Sequence, residues 1–263
     1  MKCIICRNSM DFYFSKQFDS YNLRTVDYWK CRECGFVASK THFDMKDSDW
    51  QELNVRFHED NNDRQDNPYN RNQRYFYQAS MFYLTSRYGI LPTGEYLDWG
   101  SGPGDLSDRL NTLFDIKMNN FDKYIEPVLH SLTESDLVKR GYALVANTGV
   151  FEHVRSRETL DEIESYVLPE GCLAVHTLVR EAIPQDPNWM YLLPVHCAFH
   201  TNSSMQHLML EWGYTCCTYN EFAKMWCMFR TAPDEVEAKV SLLNTKLGWE
   251  YLHFKAGFMD FWQ

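Results

Sequence analysis

The 263-residue sequence predicts an α/β fold, a doubly wound and mostly parallel sheet with a small cysteine-bearing module in front of it. Three observations carry this expectation. Two C-x-x-C pairs fall within the first 34 residues. Apolar strand-like runs alternate with helical runs over residues 74–232. Between one such strand and one such helix, the stretch EYLDWGSGPGDLSDRL, residues 95–110, places three glycines.

In chain order the module comes first. Cys3 and Cys6 form one pair and Cys31 and Cys34 the other, with 24 residues between Cys6 and Cys31. Four thiolates are the complement of a tetrahedral structural zinc ion, and Gly35 after the second pair suits the tight turn of a knuckle. A redox C-x-x-C would have no use for a matched second pair. DFYFSKQFD and TVDYWK alternate like short strands, so residues 1–40 read as a zinc ribbon closed by metal rather than by a core. Seven Lys/Arg against four Asp/Glu, with about −2 from a zinc ion bound by four thiolates, leave the module near neutral. That balance suits a packing or substrate-lid element better than a reader of DNA.

Residues 41–73 form a helical and polar connection, with one helix in DSDWQELNVRFHE and a solvated link in DNNDRQDNP. Residues 74–232 form the α/β domain. Its approach, residues 69–88, carries aromatics at helical spacing that suit core packing, with Tyr75 and Tyr77 as candidates to lid a ligand. After the strand Tyr96–Trp99 and the glycine turn, DIKMNNFD gives a second strand ending at Asp122. GYALVANTGVFEHV gives a strand from Tyr142 to Ala146, and LPEGCLAVHTLV a turn followed by another buried strand. SSMQHLMLEWGY reads as a helix capped by Ser203 or Ser204 and stopped at Gly213; MWCMFR is the closing strand. Residues 233–263 supply a last helix and an aromatic tail, expected to pack across the ribbon or to form a homodimer contact.

Composition excludes some functions. The net charge of −10 argues against a general nucleic-acid surface, which relies on many Lys/Arg–phosphate contacts. No stretch approaches the roughly 18–20 apolar residues of a membrane span. The first residues lack the apolar core of a signal peptide, so a cytoplasmic protein with reduced cysteines is expected. Cys172, Cys197, Cys216, Cys217 and Cys227 then read as small buried apolar side chains.

The glycine turn narrows the ligand. Gly100, Gly102 and Gly104 make G-x-G-x-G, with Asp98 two residues ahead, whereas the pyrophosphate-binding fingerprint is G-x-G-x-x-G. Unpaired backbone N–H groups at the following helix start face a ligand. Asp122 lies where a carboxylate can accept from both hydroxyls of a ribose diol.

Taken in order, LDWGSGPG, Asp122, NTGVFEHV and LPEGCLAVHT resemble the motifs of class I S-adenosylmethionine-dependent methyltransferases over about residues 90–230. The resemblance implies a seven-stranded Rossmann-like sheet and that cofactor. It implies that Gly100, Ser101, Gly102 and Gly104 let the backbone approach the methionine part, that Asp98 shapes the loop, that Asp122 holds the ribose and that Asn147 adjoins the cofactor. Asp136 is the stand-in for the adenine contact. The N-terminal cysteine pairs together with LLPVHCAFHT are similar to zinc-bearing sugar C-methyltransferases, in which the histidine of a Tyr-x-Glu-His run is the base. His196 carries over from that run, while Leu193 and Val195 stand at the tyrosine and glutamate positions.

Methyl transfer is an in-line displacement that needs alignment and, for a hydroxyl or carbon acid, loss of a proton. His196 is the first candidate base, followed by His153 with Glu152 beside it and by His200. The expected function is methyl transfer to a small-molecule acceptor, a sugar or nucleotide-sugar. The alternatives are an RNA or protein methyltransferase whose ribbon presents the substrate, and a non-catalytic cofactor-binding scaffold subunit.

Overall fold

The computed structural model describes residues 1–62, 68–125 and 130–260, and among them the strands form two sheets. The N-terminal residues make an antiparallel hairpin, β1 (Met10–Phe18) and β2 (Arg24–Cys31), to which β3 (Val37–Ser39) adds. Alternation along β2 buries Val26 and Tyr28, and the Tyr28 ring stacks on Phe14 with centroids 4.9 Å apart.

This sheet does not end with the ribbon. β3 pairs with β9 (Ala198–Thr201), which pairs in turn with β8 (Val179–Arg180), giving the order β1-β2-β3-β9-β8. The expectation of a ribbon closed by metal instead of a core is therefore corrected. Large rings on β2 need an apolar partner surface, and β9 provides one: Tyr28 meets Phe199 edge-on at 5.8 Å, both fully buried. The Thr201 hydroxyl also donates to the Cys34 carbonyl.

Helices α1 (Lys40–Phe43), α2 (Asp47–Asn62) and α3 (Pro68–Arg87) follow; residues 63–67 of the solvated link lie outside the described residues. The larger sheet comprises β4 (Tyr96–Trp99), β5 (Asn119–Phe121), β6 (Tyr142–Thr148), β7 (Val167–His176), β10 (Cys216–Asn220), β11 (Met225–Phe229) and β12 (His253–Ala256). Its order is β12-β10-β11-β7-β6-β4-β5. The seven strands match the expectation, but the sheet is mixed rather than mostly parallel. The ladders joining β5, β4, β6 and β7 are parallel, and those joining β7, β11, β10 and β12 are antiparallel. For the β10–β11 ladder the reason is the short link of residues 221–224, which permits only a hairpin.

Helices α4 (Asp105–Phe114), α5 (Arg157–Ser165), α6 (Asn202–Glu211) and α7 (Pro233–Leu247) complete the chain. Three further expectations change. Pro169-Glu170-Gly171 is not a turn before a strand but a bulge within β7, where the pairing jumps from Tyr142↔Val167 to Leu144↔Cys172. The cap of α6 is Thr201, not Ser203 or Ser204 as cap residue. Its hydroxyl accepts from the Ser204 N–H at 3.1 Å while the Ser204 hydroxyl accepts from the Thr201 N–H at 2.8 Å. The tail belongs to the larger sheet rather than to the ribbon: β12 pairs with β10, and Phe258 is fully buried and stacks on Trp226 at 5.7 Å. Residues 261–263 lie outside the described residues.

Alternate residues of the central strands serve two cores. Leu97, Val145, Leu173 and Val175 join the cluster that continues into the ribbon. Tyr96, Leu144, Ala146 and Ala174 join the cluster formed with α3, α4 and α7. The five cysteines outside the C-x-x-C pairs are all buried, as expected.

Candidate functional site

The glycine turn leaves the carboxyl end of β4. The Gly100 and Ser101 N–H groups both donate to the Phe121 carbonyl, at 2.8 and 3.1 Å, drawing the turn onto β5. The Gly102 N–H donates to Asp122 Oδ2 at 2.9 Å, and Asp122 Oδ1 accepts from the Tyr124 N–H at 2.9 Å. Gly100 and Gly102 have φ of 77° and 55°, the left-handed region. They differ in surroundings: a Cβ on Gly100 would lie 2.5 Å from Val150 Cγ2, whereas one on Gly102 would meet nothing within 4 Å.

Around this turn, polar atoms are buried without a hydrogen-bond partner: Asp98 Oδ1 and Trp99 Nε1 at the end of β4, Asn147 Oδ1 and Thr148 Oγ1 at the end of β6, and His176 Nδ1 at the end of β7. Asn147 is held in place through its other amide atom, Nδ2, which donates to the Trp99 carbonyl at 3.0 Å. An unmet buried polar atom costs about 1–3 kcal/mol, so five at the carboxyl ends of three adjacent parallel strands mark a place for a polar ligand. Burial and the Asp122 charge push the Asp98 carboxyl up to about 7, with the Arg74 guanidinium of α3 opposing them. Burial pushes His176 down to about 4. An open cleft of about 210 Å³ shares Gly104 with the turn, but its lining, including Asp105, Asp108 and His130, omits Asp98, Asn147 and His176. The unmet atoms do not converge on that cleft.

The other expected residues gather beyond Gly149. Glu152 and His153 lie on a 3-10 turn, Phe151–His153, and His196 on the segment leading into β9. One ligand-capable atom from each of the three lies within 4.8 Å of the others. Val150, which packs on Gly100, and Gly149, whose Cβ would lie 3.7 Å from Glu152 Oε1, link this cluster to the glycine turn. Glu152 accepts from the Tyr191 hydroxyl at 2.7 Å and from the Thr177 hydroxyl at 2.9 Å. Burial opposes its charge, but the adjoining imidazoles and the Tyr191 donor outweigh it and hold the carboxyl down at about 2. Burial pushes His153 down to about 3, and His196 below its ordinary value. His196 Nδ1 donates to the Tyr191 carbonyl at 2.8 Å, which leaves Nε2 with the lone pair.

Leu193 and Val195 stand where a tyrosine and a glutamate were looked for, yet the structure brings Tyr191 and Glu152 to His196 instead. Tyr191, Thr177 and Arg74 were missed because nothing local distinguishes them. His200 is buried between Phe36 and Phe151, apart from the cluster. Asp136 caps its own turn, accepting from Thr133 N–H and hydroxyl. Tyr77 packs on Phe222, and Tyr75 lies under the Arg74 guanidinium.

The ribbon and α1 reach this loop. Tyr13 donates to the Ile183 carbonyl at 2.9 Å, Lys16 to the Leu192 carbonyl at 2.8 Å, and His42 Nε2 lies 3.0 Å from the Pro194 carbonyl. In the ribbon itself, the four cysteine sulfurs lie within 4.8 Å of one another, with Cys3–Cys34 at 3.7 Å and Cys6–Cys31 at 3.3 Å. Sulfurs around a tetrahedral zinc at about 2.3 Å stand about 3.8 Å apart, so the set is close to the size the ion needs.

No family model and no curated protein matches the chain. Solved structures similar to it include a possible histamine N-methyltransferase from Thermotoga maritima, at 13% identity and a TM-score of 0.47, covering 69% of this chain and 100% of that one. The plantazolicin methyltransferase BpumL in complex with SAH aligns at 14% identity and a TM-score of 0.48, covering 78% and 93%. Magnesium protoporphyrin IX methyltransferase from Synechocystis PCC 6803, with bound SAH, aligns at 15% and 0.36, covering 59% and 82%. No helix among the described residues is long and apolar enough to cross a membrane.

Proposed function

We propose that the protein is an S-adenosylmethionine-dependent methyltransferase acting on a small-molecule acceptor, with a structural zinc on Cys3, Cys6, Cys31 and Cys34. The observation that carries the reading is the group of unmet polar atoms on Asp98, Asn147, Thr148 and His176 around the open Gly102 turn. The residues fit the ligand. A carboxylate at Asp98 suits a cationic amino-acid moiety, and Gly102 leaves room for it. Asp122 has lone pairs left after accepting two backbone N–H groups, enough to take a ribose hydroxyl.

When bound, S-adenosylmethionine supplies an electrophilic methyl group on its sulfonium. The chain's work is then to align the acceptor and to let its nucleophilic atom lose a proton. Glu152, His153 and His196 form the acceptor side, because they join the glycine turn through Gly149 and Val150 and offer a charged carboxylate and neutral ring nitrogens. A hydroxyl-rich acceptor such as a sugar or nucleotide-sugar suits so polar a cluster, and the net charge of −10 disfavours RNA. Calorimetric titration with S-adenosylmethionine, followed by turnover with a panel of sugars and nucleotide-sugars, tests the reading. Absence of cofactor binding by the folded protein would overturn it.

A further inference from the structure

We infer that Glu152, His153 and His196 form a second metal site, distinct from the four cysteines, that takes a divalent first-row transition ion. The donor set is one carboxylate and two imidazoles whose ligand atoms lie within 4.8 Å of one another. Such atoms stand about 3–4 Å apart around an ion at about 2.1 Å, a contraction within reach of side-chain rotation.

Each donor is also held from behind. The Asn54 amide nitrogen donates to the Trp50 carbonyl, so Asn54 presents Oδ1 to His153 Nδ1, at 3.1 Å. An Nδ1–H of His153 is then the donor to that oxygen, and the Val195 carbonyl lies within reach of the same ring. The Tyr191 carbonyl fixes the same tautomer in His196. Hydroxyls of Tyr191 and Thr177 orient Glu152. Imidazoles tied through the far nitrogen and a carboxylate tied through hydroxyls are the outer contacts that metal ligands ordinarily have.

Charge points the same way. Glu152 is 4% exposed, and among the described residues no ion pair joins it to a lysine or arginine. A buried carboxylate with no lysine or arginine paired to it is a place where a divalent cation fits. The ring of His58 on α2, centred 5.9 Å from that of His153, borders the site. Three protein ligands leave coordination positions open, and on the methyltransferase reading above these would receive an oxygen of the acceptor and make its hydroxyl more acidic. The metal affinity itself does not depend on that reading.

The test uses the whole 263-residue chain carrying one zinc on its cysteines, titrated with Co²⁺ by calorimetry and visible absorption. One further equivalent should bind without a thiolate-to-cobalt charge-transfer band. Thr177→Val, an outer contact, should weaken Co²⁺ binding by about 10–100-fold, and Glu152→Gln and His196→Gln by more. Failure of the zinc-loaded wild-type protein to take up Co²⁺, or unchanged affinity in folded Glu152→Gln, would overturn the site. The wild-type arm decides even if a variant does not fold. A wild-type protein that binds Co²⁺ but no S-adenosylmethionine would uphold the metal site while removing the methyltransferase reading.

Discussion

The Gly102 N–H and the Asp122 carboxylate are hydrogen-bonded at 2.9 Å, so the turn that follows β4 is pinned to the end of β5 by one of the residues expected to meet a ligand. Ligand contact and loop geometry are thereby coupled at Asp122. Asp122→Ala should weaken S-adenosylmethionine binding by about 1–3 kcal/mol, the scale of a charge-assisted hydrogen bond. Calorimetry on the folded variant reads this, and unaltered affinity would place the ribose elsewhere.

The neighbouring glycines should respond in opposite ways. Gly102→Val points into open space, so it should abolish cofactor binding while lowering stability by about 1–2 kcal/mol, from the positive φ alone. Gly100→Ala drives a Cβ into Val150 and should lower stability more than Gly102→Ala does. Chemical denaturation of the three variants gives the ranking, and equal losses for the two alanines would contradict it.

Asp98 predicts a pH dependence. Its folded-state pKa, about 7, lies above the ordinary 3.8, so the folded protein holds the proton more tightly than the unfolded chain does. Its stabilising contribution is therefore complete below about pH 4 and lost as the pH rises through about 7. Asp98→Asn imitates the protonated form. Without ligand it should match wild type near pH 4 and be more stable at pH 8, by up to about 4 kcal/mol for three pKa units. Parallel stability curves for the two proteins from pH 4 to 8 would refute the assignment.

Removing the proposed zinc should be felt well beyond the cysteines. Residues 1–39 share a sheet with β9 and a core with Phe199, so a chelator or Cys31→Ser should lower one cooperative unfolding transition of the whole protein. A separate early transition confined to the ribbon, seen by hydrogen exchange, would show the two to be independent.

His196→Ala should lower turnover by about 10²–10⁴-fold with little change in affinity for S-adenosylmethionine, since on the proposed reading the residue stands on the acceptor side. Loss of cofactor affinity in step with turnover would mean that His196 supports the cofactor loop instead.

What could be read from the sequence was what local spacing encodes. The strand-to-helix turn at Gly100–Gly104, the acidic residue ending β5 and the four cysteines each depend on neighbours a few residues away, and the structure places them where expected. The Pro169–Gly171 segment misled because a bulge and a turn use the same small residues. The antiparallel half of the larger sheet, and the meeting of Glu152 with Tyr191, Thr177 and Asn54, are set by contacts between distant segments. Single-sequence periodicity carries no trace of such pairings. His196 was singled out by residue type and position, but its carboxylate was sought at Val195, next door, and stands on another element.

The pairing of β3 with β9 makes the first 39 residues a poor candidate for removal or exchange. The chain leaves the larger sheet after β7, contributes β8 and β9 to the smaller one, and returns through α6. A version lacking the ribbon would leave the inner edge of β9 unpaired, an invitation to self-association. It would also free the segment carrying Tyr191 and His196 from the contacts of Tyr13 and Lys16. Swapping this ribbon for another would therefore disturb the segment that carries Tyr191 and His196, so on the proposed reading acceptor choice and ribbon sequence should be inherited as a unit.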